Sequence, residues 1–258
     1  MTQLHLELGA HHCSVNLQRG VSLAIPLQFD GPQPGFFSAP SARSAPLEID
    51  GFTGDTRQGG SCNVGHYEIV PHCNGTHTEC IGHIVDDPVA VAEQLPQSLL
   101  PATLVTVAPR HNVIDAALIK MSLQHHPLRE LHTAFIIRTL PNTREKLAHS
   151  YDQIPPPYMT EDAVALLVEA GTEHILIDLP SLDPMHDEGR LAAHRAFWGL
   201  PAGSRRKADA KRPHNTVTEM IYVPEQVKDG YYLLDLQIPA FMSDAAPSRP
   251  IVYPLEMR

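Results

Sequence analysis

The chain has 258 residues, 43% hydrophobic and 19% charged, so it can bury a substantial core. Its formal charge of −10 argues against general affinity for nucleic acid or anionic membranes. No run approaches the roughly 20 apolar residues needed to cross a bilayer, and the start MTQLHLELGAHH lacks a signal-peptide pattern. These features predict a cytoplasmic protein with neither nucleic acid nor membrane as a partner.

The predicted elements are mostly strands. Alternating residues predict strands in the first 30 positions, and apolar runs predict buried strands at 104–108 and 134–139. The clearest helix, at 160–171, has a threonine cap, acidic residues in its first turn and a glycine stop. The strand predicted at 174–178 follows directly, which favours parallel pairing.

Shorter helices are predicted at 88–94 and 187–198, and a closing strand begins at Tyr231. Neither a repeat nor a linker interrupts the pattern. The sequence therefore predicts one α/β domain over residues 1–258, with a strand-rich mixed sheet and flanking helices.

The segment 72–83 reads His-Cys-Asn-Gly-Thr-His-Thr-Glu-Cys-Ile-Gly-His. It shows no helical periodicity, and we interpret it as a loop packed against strand ends. His77 and Glu79 are two positions apart, so they point to the same side of an extended chain. Imidazole and carboxylate groups are ligands that a divalent metal prefers. From these residues alone, a metal site and solvated loop histidines both stay open.

The segment resembles the His-x-Gly-Thr-His-x-Asp-x-Pro-x-His signature of the cyclase superfamily, which comprises enzymes like kynurenine formamidase and isatin hydrolase. Gly75, Thr76, His77 and His83 stand at signature positions. The resemblance continues from about residue 20 to the C-terminus, and its further ordered motifs lie at 177–184, 194, 218–221, 224–232 and 246–252.

This resemblance implies a swivelling β/β/α fold. It also implies a metal-dependent hydrolase that cleaves the carbon–nitrogen bond of a small amide, either a formamide or a cyclic amide. One or two zinc or manganese ions per subunit, a small-molecule substrate and a homodimer or homotetramer are implied as well.

The resemblance also assigns roles to individual residues. One metal is held by His72, His77 and Glu79. A second metal is held by Glu79, His194 and Glu219. The carboxylates of Glu79 and Glu219 bridge the two metals.

The catalytic residues implied are His83, as proton donor and acceptor, and Glu219. A bound metal lowers the pKa of water and polarises a carbonyl group. A nearby imidazole accepts and returns the proton, so the implied roles agree with the chemistry of the residues.

Three departures from the signature concern the predicted metal site. Glu79 stands where the signature has aspartate, which moves the carboxylate farther from the backbone. His72 lies five positions before His77 rather than four, with Asn74 as the apparent insertion, so His72 needs a local bulge to act as a ligand. Ile81 replaces the signature proline.

The predicted substrate-binding residues are Gln33, Phe36 and Phe37. They lie in the segment 32–37, which is the nearest match in this chain to the family's Pro-x-Trp-Pro-Gly loop. Gln33 takes the position of the aromatic residue there. The single tryptophan, Trp198, is expected in the core.

Three alternatives accompany the amide hydrolase. Activated water attacks the carbonyl group of an ester or lactone as well as that of an amide, and a family member that has lost catalysis would bind a metal or small ligand only. A serine mechanism at Ser181 is disfavoured because no Gly-x-Ser-x-Gly elbow surrounds it.

Asp178 is interpreted either as support for a histidine ligand or as a turn carboxylate.

Overall fold

The computed structural model describes residues 3–257, and strands predominate among them. The α-helices are α1 (Ala116–His125), α2 (Glu161–Glu169) and α3 (Ala192–Trp198). The strands are β1 (Gln3–Leu8), β2 (His11–Asn16), β3 (Val21–Ser22), β4 (Arg43–Pro46), β5 (Glu48–Ile49), β6 (Phe52–Thr53), β7 (Gly65–Glu68), β8 (His77–Cys80), β9 (Leu99–Val107), β10 (Val113–Ile114), β11 (Ala134–Thr139), β12 (Tyr158–Met159), β13 (His174–Ile177), β14 (Thr216–Glu219), β15 (Gly230–Gln237), β16 (Ala245–Pro247), β17 (Arg249–Pro254) and β18 (Glu256–Met257). In this described range, no helix is both long enough and apolar enough to span a membrane.

Nine strands form one mixed sheet in the order β16-β8-β14-β13-β11-β9-β15-β17-β3, curled into a half-barrel. The four strands β9, β11, β13 and β14 are parallel to their neighbours within this group, and the remaining pairs are antiparallel. Helices α1, α2 and α3 connect the successive parallel strands, as parallel pairing requires. This arrangement confirms the predicted fold class. The prediction of a single domain over 1–258 includes terminal residues outside the described range and stays a prediction.

Alternate residues of the central strands enter two separate hydrophobic cores. Val105 and Phe135 belong to the core that contains the buried α3 residue Phe197. Their neighbours Leu104 and Ile136 belong to the core on the other face. Burying each large apolar side chain contributes about 1.5–3 kcal/mol. Because apolar residues pack on both faces, neighbouring side chains in the middle of these strands are held in opposite directions.

The helix predicted at 160–171 is confirmed as α2, whose first turn is capped by the Thr160 side chain. Helix α3 occupies the second half of the predicted 187–198 segment, and Trp198 is fully buried as expected. Helix α1 was not predicted, although Asp115 caps it by accepting from the Leu118 amide at 2.9 Å. The helix predicted at 88–94 is a single 3₁₀ turn.

The interpretation of 72–83 as a loop is wrong for its central part. His77–Cys80 is the fully buried strand β8, between β14 and β16. The local pattern conceals this strand because His77, Thr78 and Glu79 are polar on both faces. Thr78 hydrogen-bonds Thr218 at 2.8 Å on one face, which satisfies its hydroxyl there. The other face carries the candidate site.

The buried imidazole of His174 makes stability dependent on pH. Burial lowers the pKa of His174 from 6.5 to about 4, and its Nδ1 lies 2.8 Å from Thr216 Oγ1. The unfolded chain therefore takes up a proton before the folded protein does, and stability falls as pH drops from 6.5 towards 4. We expect a loss of roughly 3 kcal/mol from this group. Urea unfolding at several pH values gives the free energy of unfolding as a function of pH. Between pH 6.5 and 4 this free energy should fall less steeply for His174→Gln than for the parent protein. The exposed His66→Gln variant is the control, and an unchanged slope in His174→Gln contradicts the assignment.

Candidate metal centre

Strands β8 and β14 place three predicted site residues on one face. In their antiparallel register His77 lies opposite Glu219, and Glu79 lies opposite Val217. Val217 belongs to the core that contains the buried α3 residues, so all four side chains project from that face of the sheet. His77 Nε2 lies 3.5 Å from Glu219 Oε2.

Helix α3 covers this face and supplies His194. His194 Nε2 lies 2.9 Å from Glu79 Oε1 and 3.4 Å from Glu219 Oε1. Its Nδ1 lies 2.6 Å from Asp183 Oδ2. Asp183 also accepts from the backbone amides of Ala193 and His194, so one carboxylate both caps the helix and orients its histidine.

The orientation of His77 is set by its own turn. Its Nδ1 donates to the Gly75 carbonyl at 2.9 Å, so Nε2 points towards the cluster. Gly75 has φ 151°, a conformation that favours glycine. The backbone of Gly75 thus orients the side chain of His77, two positions along the chain.

Three buried atoms at the centre of the cluster have no hydrogen-bond partner: His77 Nε2, Glu79 Oε1 and His194 Nε2. The short His194–Glu79 distance therefore lacks hydrogen-bond alignment. Buried polar atoms are rarely left unsatisfied. Imidazole nitrogens and carboxylate oxygens that converge in this way fit a divalent cation.

Two overlapping groups of ligand atoms have the required spacing. Within each group all atoms lie within 4.8 Å of one another: His72, His77 and Glu79 form one, and Glu79, His194 and Glu219 form the other. The structure therefore brings together all five residues predicted as ligands, with Glu79 common to both groups. The two oxygens of Glu79 face different histidines, since Oε2 lies 3.0 Å from His72 Nδ1 and Oε1 lies 2.9 Å from His194 Nε2.

His83 lies at the rim of the cluster. It follows β8 in a 3₁₀ turn, its side chain is 29% exposed, and its Nδ1 lies 4.0 Å from Glu79 Oε2. Asp244, a residue that the sequence patterns did not indicate, lies 3.7 Å from the same nitrogen. A partly exposed imidazole beside a buried cluster is accessible both to the cluster and to a ligand from solvent.

The electrostatics of the cluster favour a bound cation. Burial raises the pKa of the Glu79 carboxyl, but the neighbouring His83 and His194 lower it by more. The pKa of Glu79 therefore lies well below its usual range. Burial lowers the pKa of His194, whereas Glu79 and Asp183 raise it well above its usual value. Two buried carboxylates, Glu79 and Glu219, require positive charge nearby, because an uncompensated buried charge is costly.

The residues predicted to bind substrate occupy different environments. The Gln33 amide is engaged with its own loop, donating to three carbonyls and accepting from the Ala42 amide. Phe36 is buried against Tyr151 and Met220, the residue after Glu219. Phe37 is 61% exposed. Contact with substrate stays a prediction for all three residues.

Two other candidates have structural roles. Asp178 accepts from the Thr139 backbone amide and hydroxyl and from Lys146, and it contacts no histidine ligand candidate. Ser181 Oγ accepts from the Asp183 amide at 3.2 Å, which caps a turn. The carboxylate that supports a histidine is therefore Asp183, from the same sequence motif.

Fold and site together define a class of protein in which a half-barrel sheet and a covering helix enclose a histidine–carboxylate centre. The Cyclase family model matches residues 21–184, and the chain belongs to this family. It is 27% identical over 201 residues to a kynurenine formamidase of Bacillus anthracis, covering 77% of this chain and 83% of the relative.

Solved structures share the fold. Isatin hydrolase A from Labrenzia aggregata has a TM-score of 0.66 at 15% identity, covering 92% of this chain and 94% of its own. A predicted metal-dependent hydrolase from Bacillus stearothermophilus has a TM-score of 0.58 at 14% identity, covering 91% and 97%. These comparisons confirm the resemblance predicted from the sequence.

Proposed function

We propose that this protein is a metal-dependent hydrolase that cleaves the carbon–nitrogen bond of a small amide, either a formamide or a cyclic amide. The observation that carries the proposal is the convergence of three unpartnered buried atoms, on His77, Glu79 and His194. The family match and the relatives named formamidase and isatin hydrolase support the same class of enzyme.

The proposed ligands are the two groups that share Glu79. His72 and His77 complete one group, and His194 and Glu219 complete the other. We assign one or two divalent ions, zinc or manganese, because mixed nitrogen and oxygen ligands suit both metals. Such a metal supplies a nucleophile near neutral pH by lowering the pKa of water, and it polarises the carbonyl group.

His83 is the proposed proton carrier. Its imidazole accepts a proton from water as a bond forms between water oxygen and the carbonyl carbon, and it returns the proton to the leaving nitrogen as the carbon–nitrogen bond breaks. It lies at the rim of the cluster, with Nδ1 4.0 Å from Glu79 Oε2 and its side chain 29% exposed, so a ligand from solvent can reach it. Glu219 Oε1 is held by the Leu182 amide at 2.9 Å, which fixes this carboxylate beside His77 and His194.

Metal analysis of protein purified without chelators, followed by a substrate screen, tests the proposal. We expect bound zinc or manganese and turnover of a formamide or a cyclic amide. Turnover of esters or lactones alone would replace the amide with the alternative substrate class. Stoichiometric metal without turnover of any class would indicate a binding protein. The homodimer or homotetramer stays a prediction that sedimentation equilibrium can check in the same samples.

A further inference from the structure

Asp244 is held beside the candidate centre by the fold itself. It precedes β16, which pairs with β8 along the edge opposite β14, and its carbonyl accepts from the Cys80 amide at 3.0 Å. A Cβ on Gly82 would lie 2.5 Å from the Val89 carbonyl oxygen and 3.1 Å from Asp244 Cβ. Glycine at position 82 therefore permits this close approach.

The Asp244 carboxylate contacts one predicted ligand directly. Its Oδ2 lies 2.8 Å from His72 Nε2, while His72 Nδ1 lies 3.0 Å from Glu79 Oε2. The His72 ring is thus fixed at both nitrogens, with Nδ1 facing the cluster. His77 and His194 have the opposite orientation, since each is held through Nδ1 and directs Nε2 inwards.

The reversed orientation accompanies the unusual spacing of this chain. The additional residue, Asn74, is fixed in the turn, where Oδ1 accepts from the Val70 amide at 2.6 Å and Nδ2 donates to the Pro40 carbonyl at 3.0 Å. His72 therefore enters from a turn one residue longer than the signature provides. A carboxylate on the far side of the His72 ring contacts Nε2, which leaves Nδ1 facing the centre.

We infer that Asp244 is a positioning residue for the metal: it accepts a hydrogen bond from His72 Nε2 and so presents Nδ1 as the ligand atom. This inference rests on the proposed metal centre. A carboxylate bonded to the second nitrogen of a histidine ligand fixes its tautomer and orientation and increases its basicity. The Asp183–His194 pair has the same form with the ring reversed.

Two other roles make different predictions. Asp244, His72 and His83 have ligand atoms within 4.8 Å of one another, so Asp244 would be a direct ligand if a metal bound there. Alternatively, Asp244 would act only on His83, at 3.7 Å. The three roles differ in whether the effect of removing Asp244 depends on His72, on His83 or on neither residue.

A double-mutant cycle on metal affinity separates these roles. Zn²⁺ and Mn²⁺ affinities are measured by chelator competition for the full chain, Asp244→Ala, His72→Ala and the double variant. We expect Asp244→Ala to weaken binding about 10- to 100-fold and to add nothing when His72 is already alanine. Asp244→Asn keeps a hydrogen-bond acceptor, so its affinity should lie between those of the parent and Asp244→Ala. Asp86→Ala, whose parent side chain is 74% exposed, is the matched control.

Three results overturn the inference. An equal loss with and without His72 identifies a direct ligand. An unchanged affinity in both Asp244 variants removes any role towards the metal. A fall in kcat that disappears in a His83→Ala background, with affinity unaltered, assigns Asp244 to His83. If the parent protein itself binds no metal, the proposed function fails, which is a separate outcome. Asp244→Asn, similar in size to the parent residue, keeps the test valid if the alanine variant does not fold.

Discussion

Replacing Glu79 with glutamine is expected to abolish metal binding and reduce kcat/KM roughly a thousandfold or more. Glu79 is common to both groups of candidate ligands, and its two oxygens face His72 and His194. Glutamine preserves the shape but removes the charge that a divalent cation requires. Lewis-acid stabilisation is worth several kcal/mol, and each 1.36 kcal/mol corresponds to about a factor of ten in rate.

Metal content by mass spectrometry and steady-state kinetics measure this effect. Glu48→Gln, the same substitution at an exposed position, is the matched control and should keep full metal content. Circular dichroism of the metal-free forms checks that Glu79→Gln has folded. Full metal content in folded Glu79→Gln would refute the assignment of Glu79 as the shared ligand.

Replacing Asp183 with asparagine is expected to weaken metal binding about 10- to 100-fold, because histidine ligands depend on such partners for tautomer and orientation. The Asp183 carboxylate accepts from His194 Nδ1 and from the amides of Ala193 and His194. Asparagine cannot accept all three hydrogen bonds. We therefore also expect the metal-free protein to lose about 1–3 kcal/mol of unfolding free energy.

Asp187→Asn separates the metal effect from the loss of local structure. Asp187 accepts from the Gly189 and Leu191 amides in the turn before α3, but it makes no hydrogen bond to His194. This variant should lose stability while retaining the parent's metal affinity. If both variants lose affinity equally, the effect belongs to the turn and not to the Asp183–His194 pair.

Several elements could be predicted because their causes are local. Thr160 and the acidic residues that follow it start α2, and unbroken apolar runs indicated β11 and β13. Strand β8 could not be found in this way. Its faces are polar for two reasons, a threonine pair on one side and the candidate centre on the other, so periodicity did not indicate a buried strand.

The sequence by itself determined the family and the five candidate ligands, because the spacing around Gly75 and His77 and the later motifs are properties of the chain order. Only the tertiary structure decided which atoms face one another. Asp183 supports His194 across a helix terminus, and Asp244 reaches His72 from 172 positions away. The motif at 177–184 contains Asp183 but does not indicate its partner, and no sequence pattern indicated Asp244, since strand pairing and helix packing set these distances.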